Sequence, residues 1–129
     1  MINKCFLAMG CVFGLVSWVN GYGGDCSNFI DYGTYQHKSN IYPGNMTFGT
    51  ISDCNKGTCF SGGWRIDAMA FGKSESMDGW YKGSSFLMRR HLDDNKIQLF
   101  KGVCGDSEIY GIISDSHSSG DKGSFRIWK

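Results

Sequence analysis

Glycine and alternation together constrain this chain more than any other feature. It holds 19 glycines and one proline. No window of a dozen residues keeps a 3.6-residue apolar period, so helix is excluded over most of the length. Between the glycines, apolar residues recur with period 2, which marks strands with one buried face. Met46–Ile51 alternates Met46, Phe48 and Thr50. Trp64–Phe71 places Trp64, Ile66, Ala68 and Ala70 on one face, opposite Arg65, Asp67, Met69 and Phe71. Phe86–Leu92 alternates Phe86, Met88 and Arg90, so Arg89-Arg90-His91 is not one basic patch. Lys96–Lys101 groups Ile97 with Leu99, Glu108–Ser114 groups Ile109, Gly111 and Ile113, and Gly123–Lys129 groups Phe125 with Ile127. The connectors are short and polar: Asp93-Asp94-Asn95, Lys101 to Asp106, and Ser116 to Lys122. Sequential strands with short turns predict an all-β fold, an antiparallel meander forming a small barrel or sandwich. Asp25–Gly44 shows no clean alternation, and Ser27–Thr34 is too short for a full helix.

The first two dozen residues differ from the rest. Lys4 precedes an unbroken apolar stretch of 15 residues, Cys5–Val19, followed by Asn20-Gly21-Tyr22-Gly23-Gly24. A charged start, a short apolar middle and a small-residue exit form the layout of a secretory signal peptide. A membrane span needs about 20 apolar residues, so stable membrane insertion is not expected. The reading is a signal peptide over residues 1–23, cut after Gly21 or Gly23, and a single secreted, extracellular domain over residues 24–129. Without Lys4 the basic side chains number 12, matching the 12 acidic ones. Charge alone therefore gives no argument for nucleic acid.

Cys5 and Cys11 leave with such a signal, which leaves Cys26, Cys54, Cys59 and Cys104. An even number in a short secreted chain reads as two disulfides, with three pairings open. Cys54–Cys59 closes a loop whose Asn55-Lys56-Gly57 is turn chemistry, and Cys26–Cys104 ties the N-terminal segment to a late strand. Zinc is the other reading, but no second tight pair or His cluster accompanies these cysteines. No metal or cofactor is expected. Aliphatic side chains are sparse, so aromatics must supply much of the core. Phe48, Trp64, Phe71, Trp80, Phe86, Phe100, Tyr110, Phe125 and Trp128 are the candidates. Asn45-Met46-Thr47 is an N-glycosylation sequon, usable at Asn45 only in a eukaryotic secretory pathway.

Two resemblances bear on function. Gly62-Gly63-Trp64 resembles the Gly-x-Trp signature that opens lipocalin-like barrels, where a late Arg packs on the Trp. That likeness would give the part to Arg126 and implies a small-ligand cavity. Only some 65 residues follow Trp64, too few for that strand set, and the plainer reading is a core Trp after a turn. Tyr35-Gln36-His37-Lys38, followed by Asn40 and Tyr42, resembles the Tyr-x-His-Lys strand of the guanyl-specific fungal ribonucleases. Gly111-Ile112-Ile113-Ser114-Asp115, then Ser119-Gly120, resembles their final catalytic strand and turn, in the family's order. The resemblance implies that Tyr35 would bind the scissile phosphate and that His37 would assist the base taking the 2′-hydroxyl proton. An acid must stand on the other side of the phosphate. Alignment puts Asp115 at that position, with His117 two residues on. Arg65 and Asp67, which share a strand face, would stand in for the family's Arg and Glu. The family's long helix and terminal cysteine have no counterpart here. Outside this likeness His37 reads as a surface strand histidine.

No nucleophile elbow, phosphate loop or complete acid–base pair is visible. Many Tyr and Trp residues, near-zero charge and Gly/Ser loops suit a contact surface. The leading expectation is a small secreted β protein that binds an extracellular protein or glycan, as an inhibitor, effector or toxin-like module does. A ribonuclease-like protein, active or catalytically dead, with nucleic acid as partner, is the alternative. A third class, a lipid or small-molecule carrier, requires an apolar interior with an open mouth. A core filled by Trp64, Phe86 and Phe125 would exclude it.

Overall fold

The computed structural model describes residues 24–68, 74–115 and 123–129. The expected signal segment, Phe71 and His117 lie outside these residues. A single helical turn, α1 (Cys26–Phe29), is capped by the Asp25 carboxylate, which accepts from the Ser27 amide at 3.1 Å. Eight strands follow: β1 (Gly33–Ser39), β2 (Tyr42–Cys54), β3 (Gly57–Ile66), β4 (Glu75–Lys82), β5 (Ser85–His91), β6 (Ile97–Cys104), β7 (Glu108–Asp115) and β8 (Gly123–Trp128). Each pairs antiparallel with the next, and β1 also pairs with β8, closing the barrel. Closure leaves no sheet edge unpaired. The meander was legible from the sequence; of barrel and sandwich, the chain forms the barrel.

Alternation decides which side chains fill it. Tyr35, His37, Met46, Phe48, Phe60, Trp64, Met77, Tyr81, Phe86, Met88, Phe100, Ile109, Ile113, Phe125 and Ile127 are buried. Where an inward position faces a crowded wall the chain uses glycine: a Cβ on Gly79 would lie 2.8 Å from Phe60 Cζ. Both disulfides form, Cys26–Cys104 and Cys54–Cys59, and they engage the four cysteines among the described residues. The first pins α1 across the end of the barrel where β6 finishes, helped by a Cys26 N–H bond to the Gly83 carbonyl at 2.8 Å.

Several sequence expectations are corrected. The strand read as Trp64–Phe71 starts earlier and stops at Ile66, with Asp67 and Ala68 in a turn. The strand Glu75–Lys82 was not anticipated, because Gly79 breaks its inward face between Met77 and Tyr81. Thr50 does not continue the buried face of Met46 and Phe48, since the register shifts after Phe48 and turns it outward. Ile97 and Leu99 are half-buried on the outer side of β6, whose inward neighbour Phe100 is fully buried. The aromatic list also divides. Trp80 and Trp128 are half-buried, and Tyr110 is exposed.

Candidate functional site

The barrel interior is a continuous chain of rings. From the α1 end it runs Phe29–Tyr35–Phe48–Phe60–Phe86–Phe125–Phe100–Trp64–His37, with successive centroids 3.6–6.4 Å apart. Such pairs are worth about 0.5–1.5 kcal/mol beyond the area they bury. Trp64, Phe86 and Phe125 are 0%, 3% and 2% exposed. The space a carrier would offer its cargo is filled by side chains. Trp64 lies in the third strand, and Arg126 does not pack on it. Arg126 instead bonds Glu108 at 2.7 Å and lies 5.0 Å from the Trp128 ring.

The polar residues inside gather at the end opposite α1. His37 is fully buried, stacked on Trp64 at 3.6 Å and 14°. Its Nε2 bonds the Arg65 carbonyl at 2.7 Å. A carbonyl only accepts, so Nε2 carries a proton and the neutral ring is the Nε2–H tautomer. Burial is the main force pushing its pKa from 6.5 to about 4, and nearby Arg90 adds to it. Gly44 permits the Nε2–carbonyl bond, since a Cβ there would sit 2.7 Å from Nε2 and against the Arg65 carbonyl. Arg90 faces inward, as the alternation of its strand indicated. Its Nε donates to Glu75 at 2.6 Å and its Nη1 to Gln98 Oε1 at 2.9 Å, 6.0 Å from the Trp64 ring. Trp64 Nε1 is buried with no hydrogen-bond partner among the described residues. Tyr42, Ile66, Ala68 and Arg90 line a shallow depression of about 230 Å³.

Of the residues named for a nuclease, Tyr35 and His37 are buried and Arg65 and Asp67 lie outside, while His117 is not among the described residues. Tyr35 is 1% exposed. Its hydroxyl donates to the Phe29 carbonyl at 2.7 Å and accepts from the Asp31 amide at 2.9 Å, which ties α1 to the barrel. His37 is interior, which corrects its reading as a surface histidine. Arg65 and Asp67 pair at 3.9 Å on the outside. Asn45 sits half-buried in β2, with Thr47 exposed two residues on. Among the described residues, no three His, Cys, Asp or Glu side chains converge as a metal site, and no helix is long and apolar enough to cross a membrane.

One surface feature escaped sequence reading. A groove of about 500 Å³ on the outer wall is lined by Lys56, Lys82 and Lys101 around Trp80 and Leu87. The lysines lie on three separate segments, and the strand carrying Trp80 and Lys82 had no recognised period, so no linear motif announced them. No protein-family model, curated protein or solved structure matches the chain.

Proposed function

We propose that this disulfide-bonded barrel is an extracellular binding protein that engages a protein or glycan through its outer surface. The observation that carries this reading is the filled interior. The rings that would line a ligand cavity touch one another, and the buried His37 and Tyr35 hold internal hydrogen bonds. Chemistry and recognition are left to the outside of the barrel. There Tyr32, Ile41, Tyr42, Tyr110 and Ile112 are exposed on a rigid frame. Exposed aromatic and aliphatic side chains held by a scaffold suit partner contact, because little conformational entropy is lost on binding. Two disulfides fit an oxidising compartment. The burial of Tyr35 and His37 weighs against a ribonuclease, which needs both at the phosphate.

The test is a screen of the oxidised protein against panels of extracellular proteins and glycans by biolayer interferometry. Saturable binding that disappears on reducing the disulfides is expected. Absence of any saturable partner, with cleavage of RNA by the same preparation, would refute the reading.

A further inference from the structure

The groove around Trp80 combines features that the rest of the surface separates. In the outer face of the sheet Trp80 pairs with Leu87, and Leu87 with Lys101. Neighbouring strands lie about 4.8 Å apart, so Lys101 stands roughly 10 Å from Trp80 across the wall. Lys82 is two residues along β4 on the same face. Lys56 comes from the turn closed by Cys54–Cys59, and its Nζ lies 4.0 Å from the Trp80 ring centroid. The cation–π contact restrains an otherwise mobile ammonium, and the disulfide restrains the turn that carries it. All three lysines are exposed, and no carboxylate lines the groove. The nearest acid along β4, Asp78, is engaged by Arg89 at 2.8 Å and His91 at 3.3 Å. In a chain whose acidic and basic residues nearly balance, three exposed lysines, one of them held against Trp80, surround a groove with no carboxylate in its lining and make a local positive patch.

We propose that this groove binds a sulfated glycan. The proposal rests on the reading of the barrel as an extracellular binding protein and assigns one face its ligand class. Lysine ammonium groups are compact point charges that can meet a sulfate from many directions, without the fixed fork by which arginine selects carboxylate or phosphate. One half-buried indole offers a wall for a sugar ring. It is not the series of stacking platforms that single-stranded nucleic acid requires. The groove is too small to track a long backbone, and too few cations surround it to hold a nucleic acid by charge.

The experiment measures binding of the oxidised protein to a heparin tetrasaccharide by isothermal titration calorimetry at 150 mM salt. Two variants of equal net charge are compared. One carries Lys56→Gln, Lys82→Gln and Lys101→Gln; the other carries Lys38→Gln, Lys96→Gln and Lys129→Gln. Near-UV circular dichroism establishes that both keep the fold. The groove variant should bind about tenfold or more weakly, as three exposed ion pairs permit, and the control within about twofold. Desulfated heparin, hyaluronan and inorganic sulfate should each bind more weakly than the tetrasaccharide. Equal weakening of both variants, no tetrasaccharide binding by the unaltered protein, or tighter binding of a single-stranded oligonucleotide would overturn the proposal. A saturable protein partner in the panel screen, with no tetrasaccharide binding, would sink the groove assignment alone. Failure of both experiments would sink the binding-protein reading with it.

Discussion

Acid should weaken this barrel by protonating His37. Unfolding exposes His37 to water and returns its pKa to the ordinary 6.5, while burial in the folded state holds it at about 4. Above pH 6.5 the imidazole is neutral in both states, and its contribution does not vary with pH. Between 6.5 and 4 the unfolded chain takes up a proton that the folded chain refuses, so stability falls as pH falls. Below about 4 both states are protonated and the dependence flattens. A difference of that size, at about 1.36 kcal/mol per pKa unit, is worth on the order of 3 kcal/mol. The charged neighbours have opposed effects: Arg90 disfavours the imidazolium and Asp67 favours it. The perturbation is His37→Gln, whose amide retains a donor for the Arg65 carbonyl but cannot titrate. At pH 7.5 the variant should be less stable by about 1–3 kcal/mol, from lost stacking on Trp64 and a poorer hydrogen bond. Toward pH 4 the two stabilities should converge. Urea unfolding followed by tryptophan fluorescence at half-unit steps from pH 7.5 to 4 gives both curves. Parallel curves would refute the reasoning. So would a His37 ring-proton resonance in the folded protein that titrates with a midpoint near 6.5.

Three further predictions test the frame. Replacing Cys26 and Cys104 by Ser opens a crosslink of sequence separation 78 and should cost about 4–5 kcal/mol on the chain-entropy account. The Cys54–Cys59 link, of separation 5, should cost only about 2 kcal/mol; equal losses in guanidinium melts would contradict that account. Gly44→Ala should destabilise by about 1–3 kcal/mol by pressing on His37 and the Arg65 carbonyl. Gly63→Ala, where an added Cβ meets nothing within 4 Å, should be neutral or stabilising by up to about 1 kcal/mol, read in the same melts. Arg90→Met alone should cost about 3–5 kcal/mol by leaving Glu75 charged and buried, while Arg90→Met with Glu75→Leu should recover most of that. A double variant no better than the single one would show that the pair itself, and not an orphaned charge, sets the cost.

Much of this architecture could be read from local pattern, and the failures share a cause. The inward sets Phe86–Met88–Arg90, Ile109–Gly111–Ile113 and Phe125–Ile127 follow simple alternation, and of the three open cysteine pairings the chain forms the one in which turn chemistry closes Cys54–Cys59 and Cys26–Cys104 ties the N-terminal segment to a late strand. Alternation fails where one face carries glycine or where both faces are apolar. On β4 the inward Gly79 hides the period. On β6 half-buried Ile97 and Leu99 compete with Phe100, and only the closed sheet decides which side is inside. Tyr35 and His37 illustrate a different limit. Their spacing resembles a catalytic strand, yet the same spacing puts both on the inward face of β1, and sequence separation does not say what lies inward.

Arg90, Glu75, His37 and Gln98 lie at the end of a core otherwise made of aromatic rings, methionines, isoleucines and a disulfide, where burying polar groups costs stability unless each finds a partner. Arg90 and Glu75 satisfy one another at 12% and 11% exposure, Gln98 takes a further Arg90 donor, and His37 donates to a backbone carbonyl. Trp64 Nε1 is the exception among the described residues. Such a layer is directional where apolar packing is not. It ties β1 to β3 through His37 and the Arg65 carbonyl, and β4 to β5 and β6 through Arg90. A barrel that slipped by one residue between β4 and β5 would point Arg90 outward and leave Glu75 unpaired. These contacts add directional ties between strands that already share the ladder, and each is made only in the observed register. The same register aligns Trp80, Leu87 and Lys101 across the outer wall, so a slip between β4 and β5 that broke the Arg90–Glu75 pair would also separate Trp80 from Leu87.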